Sequence, residues 1–85
     1  MFGGKLMTVG FECPEEKVGI LIDRFGQDIK ITGGKGGLLN VHTEAVLSGQ
    51  FYGWVASVGP EIRITSPKAA VDGMKDFLSN NLKRY

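Results

Sequence analysis

The chain holds one histidine and one cysteine, so His42 and Cys13 are the first residues to weigh for chemistry. Together with Glu12 and Glu44 they include the side-chain types of a metal centre or a proton shuttle. Their positions share no ligand spacing, however, and a partly exposed histidine at a strand end explains His42 without any chemistry. A lone cysteine builds neither an internal disulfide nor a cysteine zinc cage. No basic cluster stands beside Cys13 to lower its pKa, so the expectation is a small buried hydrophobe. The run Gly33-Gly34-Lys35-Gly36-Gly37 has the glycine and lysine of a phosphate loop but not the order. Gly36 follows Lys35 where a Ser or Thr is needed, Ile29 stands where the first Gly is needed, and a strand follows instead of a helix. A hairpin tip is the remaining reading. Phe51, Tyr52 and Trp54 gather aromatic surface. Phe51 and Trp54 share a helical face with Val55 and Val58 and are expected in the core; Tyr52 points elsewhere and is a candidate contact residue. No catalytic residue, cofactor or metal is expected.

The elements that would position these groups read clearly. Met7, Val9, Phe11 and Cys13 alternate with Thr8, Gly10 and Glu12, which predicts a half-buried strand. Pro14 fits a first helical position, with Glu15 and Glu16 in the favoured first turn. Val18, Leu21, Ile22 and Phe25 follow at helical spacing, and Gly26 is a stop. Asp28 to Thr32 alternates again, and Leu38 to His42 returns after the glycine tip as a hairpin. Thr43 to Leu47 fits a strand end or a helix start. Ser48 reads as the N-cap for the helix carrying Phe51, and Gly59-Pro60 ends it. Ile62 and Ile64 mark a fourth strand. Ser66-Pro67 reads as an N-cap followed by a first-turn proline. Val71, Met74, Leu78, Leu82 and Tyr85 then form an apolar stripe. Gly19, Gly49, Gly53 and Gly73 lie inside predicted helices, where each costs up to about 1 kcal/mol relative to alanine. Close approach of another backbone is one reason to keep them.

The order is β-α-β-β-α-β plus a further helix. This predicts an α+β, ferredoxin-like split β-α-β fold with an additional C-terminal helix, as a single domain over residues 1–85. The alternation sends Val9, Phe11, Ile29, Ile31, Leu39, Val41, Ile62 and Ile64 towards the helices. It sends Thr8, Glu12, Lys30, Thr32, Asn40, His42, Arg63 and Thr65 to the other face. That polar face is expected to be solvated, covered by the last helix, or used for binding.

Eighty-five residues suffice for one core and leave little room for a large cofactor cavity. Ten basic and nine acidic residues leave a formal charge of +1, spread with no run longer than a pair. A nucleic-acid module usually shows a basic stripe. No apolar run approaches the ~20 residues of a membrane span, and Met1 to Lys5 is too short and polar for a signal peptide. The lone thiol fits a reducing cytoplasm.

In order and spacing, the chain resembles the C-terminal extension, WCX, of bacterial WYL-domain transcriptional regulators. The shared pieces are Phe2-Gly3, the strand from Met7 to Phe11, the Arg24-Phe25-Gly26 turn, the hairpin, Phe51 with Trp54 and Gly59, the stretch from Ile62 to Pro67, and Tyr85. The glycines between Gln50 and Ser57 depart from the leucine-rich pattern of the family. The resemblance implies a fragment of a longer regulator, whose partners would be a WYL domain and a winged helix-turn-helix domain. It implies a regulatory and dimerisation role supporting a ligand response, a homodimer, and DNA contact only through the parent. The expected interaction residues are Thr8, Glu12, Lys30, Asn40, His42, Arg63 and Tyr52.

Two other functions share the element order. A nucleotide or single-stranded nucleic-acid module would present aromatics on the central strands, whereas the outward residues here include none. An acylphosphatase-like enzyme would need an arginine-bearing loop after the first strand, where this chain has Cys13-Pro14-Glu15-Glu16.

Overall fold

The computed structural model describes residues 6–26 and 28–85, so the Phe2-Gly3 piece of the resemblance lies outside the described residues. The first strand, β1 (Leu6–Pro14), is central. It pairs antiparallel with β3 (Leu38–Val46) along its whole length, from Leu6 opposite Val46 to Pro14 opposite Leu38. On its other side lies β4 (Arg63–Ser66), and the short β2 (Lys30–Gly33) pairs with β3. The four-stranded order is β2-β3-β1-β4, antiparallel throughout. With the helices α1 (Val18–Phe25), α2 (Gly49–Val58) and α3 (Lys68–Leu82), this is a ferredoxin-like α+β fold with a further helix at its C-terminal end.

Alternation along the strands decides what is buried. Val9, Phe11, Cys13, Val41, Ile62 and Ile64 form one cluster with Leu21 of α1, Phe51 and Val55 of α2, and Ala70 of α3. Val9, Phe11, Cys13, Val41 and Ile64 share one sheet face, with Ile62 just before β4, so all three helices pack on that face and α3 does not cover the other. Phe11 is fully buried. Its ring lies 5.8 Å from Phe25 and 6.1 Å from Phe51, joining α1 and α2 through one strand residue.

Local signals set the ends. Ser48 caps α2 by accepting a hydrogen bond from the Phe51 backbone N–H at 3.1 Å. Gly26 stops α1 at φ +87°, a left-handed region that favours glycine. At the hairpin tip the Leu38 N–H donates to the Lys35 carbonyl, and Gly36 and Gly37 between them take φ of 64° and 80°. Positive φ at both central residues is the mirror-image turn that matches strand twist.

Several expectations needed correction. Pro14 ends β1 instead of opening α1, and one 3-10 turn, Glu15–Lys17, intervenes. Of the two readings of Thr43 to Leu47, the strand end holds as far as Val46, because β1 is long enough to pair with it. Ser66 does not cap α3: it remains in β4 opposite Gly10, and Pro67 precedes the helix without a side-chain cap. The last helix ends at Leu82, so Tyr85 lies beyond it, and the expected apolar stripe is buried only at its start. Val71 and Met74 are half-buried, while Leu78, Leu82 and Tyr85 are 49%, 75% and 105% exposed. Ile31 is also exposed, because β2 is an edge strand.

The helix α3 is held against α2 by a different set. The Tyr52 ring lies over Gly73, so a Cβ there would run into the phenol, and the same ring is 6.0 Å from Phe77. The close approach at this glycine is a side chain, not a backbone. At Gly19 a Cβ would meet nothing. The same substitution should therefore act oppositely at the two sites. Gly19→Ala is expected to raise unfolding free energy by about 0.5–1 kcal/mol, the helix-propensity gain. Gly73→Ala is expected to lower it by about 1 kcal/mol net, since overpacking exceeds that gain. Urea titration of both variants checks the pair.

Candidate interaction surface

The sheet face away from the helices carries the polar set. Strand register arranges it in rows. Lys30, His42, Gly10 and Ser66 stand side by side across all four strands. Thr32, Asn40, Glu12 and Arg63 form the next row, and Thr8 pairs with Glu44. The expected Thr8, Glu12, Lys30, Asn40, His42 and Arg63 are thus brought onto one surface. Tyr52 is not: it sits in the helical layer, half-buried between α2 and α3. Burial chiefly, and Asp76 secondarily, push its phenol pKa up, so it acts there as a neutral packing group.

An irregularity in β4 gives the surface its centre. Phe11 pairs with Ile64, but Gly10 pairs with Ser66, which leaves Thr65 as the extra residue of a bulge. Bulges re-aim side chains, and here two neighbouring hydroxyls turn towards Gly10. A Cβ at Gly10 would collide with Ser66 Oγ and lie 3.1 Å from both Thr65 Oγ1 and His42 Nε2. An imidazole and two hydroxyls therefore converge over bare backbone in the middle of the sheet. Beside them Arg63 Nε donates to Glu12 Oε1 at 2.9 Å. Both side chains reach solvent, so this pair contributes at most about 1 kcal/mol and mainly fixes orientation.

At the Lys30 end a depression of about 540 Å³ is bordered by Thr8, Asp28, Lys30, His42 and Glu44 of the polar side and by Leu6, Phe25 and Thr43. Its charge is mixed, which suits hydrogen bonding to another polar surface. Among the described residues no cluster of three or more His, Cys, Asp or Glu could hold a metal ion. The set of His42, Glu12, Glu44 and Cys13 does not assemble. Cys13 alternates with Glu12 along β1 and is fully buried behind the sheet. Burial also pushes its thiol pKa up, which suppresses the thiolate at neutral pH.

Sequence reasoning puts Gly10 on this face but not at its centre, and it misses Ser66. The available signal was a glycine inside an alternating strand, a position that often marks a bulge or a close approach. Nothing in the sequence told that Ser66 would stay in the sheet. Comparison of the chain with known protein families, curated proteins and solved structures found no match. Among the described residues no helix is long and apolar enough to cross a membrane.

The crowding over Gly10 is testable by a double-mutant cycle. Gly10→Ala should destabilise the fold by about 1–3 kcal/mol, as overpacking does. In a Ser66→Ala background the cost should shrink, giving a coupling of at least about 0.5 kcal/mol. Additive effects in thermal or urea unfolding would mean that Ser66 does not occupy the space above Gly10.

Proposed function

We propose that the chain is a non-enzymatic regulatory and oligomerisation module, the WCX-type extension of a cytoplasmic bacterial helix-turn-helix regulator with a WYL domain. The observation that carries this reading is a joint between two pieces of the resemblance that lie far apart in sequence. Arg24 stacks over the Trp54 ring at 5.4 Å, and Phe25 meets the same ring edge-on at 5.4 Å. The Arg-Phe-Gly turn and the aromatic helix thus form one packed unit. Cation–π and edge-to-face contacts of this kind contribute about 0.5–1.5 kcal/mol each.

The oligomerisation part draws on α3. Leu78 and Leu82 are exposed one turn apart on α3, Tyr85 is exposed just beyond its end, and exposed apolar surface of this kind is what interfaces use. The polar sheet face, centred on Gly10, is then the surface for docking on a neighbouring domain. Regulation would be mechanical: a signal stabilises one arrangement of domains, and the DNA-binding heads respond through the parent.

Sedimentation equilibrium over a concentration series tests the reading. The chain is expected to form a dimer, and Leu82→Glu to shift it towards monomer by at least tenfold in dissociation constant, about 1.4 kcal/mol. A monomer at every concentration, or a dimer indifferent to Leu82→Glu, would contradict an α3 interface.

A further inference from the structure

Between α2, β4 and α3 lies a groove of about 400 Å³, within the range of small-molecule sites. Val55 and Ile62 form its floor with Ile64, and Val71, Met74 and Leu78 form the α3 wall. From Val71 to Leu78 the helix rises roughly 10 Å, the length of a medium acyl chain or a pair of fused rings. The titratable residues that line it are Arg63 and Lys75, both cations, with no carboxylate.

These two cations differ. Arg63 is already bonded to Glu12. Lys75 makes no ion pair among the described residues. Of the neighbouring acids, Asp72 is bonded to Lys68 at 2.6 Å while also feeling the Lys75 charge, and Asp76 adjoins Lys75 in sequence without an ion pair to it. Lys75 follows Met74 and lies one helical turn after Val71, so its ammonium is available at the rim of an apolar trough. An apolar cavity with one uncommitted cation is complementary to an amphiphile with one negative end.

We infer that this groove binds a small organic monocarboxylate with an apolar body, its carboxylate held by Lys75. The ligand is a free molecule in solution, not a lipid within a bilayer, because the trough is short and a single ammonium serves it. The site is complete within one chain and shares Leu78 with the proposed α3 interface.

The test uses the full chain and three probes with one alkyl body: decanoate, decanol and decylammonium, all below their micellar concentrations. Amide and methyl chemical shifts are followed during titration. Decanoate should bind saturably, one per chain, with shifts at Val55, Ile62, Ile64, Val71 and Met74. Affinity should rise about fourfold per methylene from hexanoate upward, as apolar burial requires. Decylammonium should bind more weakly than decanoate, and Lys75→Glu should abolish or invert that preference, by up to about fivefold at an exposed site. Met74→Trp should fill the trough and remove binding. Should that variant not fold, the head-group series on the unaltered chain still decides.

Equal affinity for all three probes would overturn the proposal, as would shifts confined to Leu82 and Tyr85 or the absence of saturable shifts. Co-sedimentation with phosphatidylglycerol vesicles without binding of free decanoate would overturn it in favour of a membrane surface. Groove shifts that track protein concentration instead of ligand would overturn it in favour of a second copy. A dimer that leaves the groove inert refutes the ligand site alone, and a monomer that binds decanoate refutes the dimer alone.

Discussion

The structure depends on one strand being paired on both sides while its two faces meet different environments. β1 is hydrogen-bonded to β3 along nine residues and to β4 along part of its length. Its odd-numbered residues Val9, Phe11 and Cys13 have no exposed surface. Its even-numbered residues Thr8, Gly10 and Glu12 lie on the polar side. A one-residue slip would exchange these sets, placing Glu12 in the core and Phe11 in water. Register is therefore fixed by burial, and the position of every polar group on the open face follows from it. Phe11 extends that control to the helices, because its ring contacts those of Phe25 and Phe51.

The placement of α3 follows a second constraint. Tyr52 occupies the space above Gly73, which brings the first half of α3 close to α2 through Ala70 and Gly73. Once that side of the helix is committed, the residues at Val71, Met74 and Leu78 are turned towards the edge strand β4 and do not close over it. The groove and the exposed end of the stripe are both consequences of this packing. The helix thus supplies a core residue, a trough and an apolar surface from successive faces of one element.

Much of this was legible in the sequence because alternation and capping are local. The alternation of β1 gave its buried set, Ser48 gave the start of α2, and the paired glycines gave the hairpin turn. Three things were not legible. The length of β3 depended on the partner strand, since Thr43 to Val46 pairs only because Leu6 to Val9 are opposite. The role of Ser66 depended on a bulge, and a serine before a proline carries the same local signal whether it caps a helix or ends a strand. The orientation of α3 depended on Tyr52 and Gly73, twenty-one positions apart in sequence. Within the polar face, the residue types and their side of the sheet were readable, whereas their convergence over Gly10 required the third dimension.

The functional reading rests on the same strand. The polar face exists as a surface only while β1 holds β3 and β4 in register, and the helical face that carries α3 is anchored on the same residues. Native-state hydrogen exchange tests that claim most directly. If β1 is the common support, the slowest-exchanging amides of Val9 and Phe11 open only with global unfolding, with a free energy equal to that from urea titration and a matching denaturant dependence. Exchange of those amides through a smaller opening, while the β2–β3 hairpin stays protected, would contradict it.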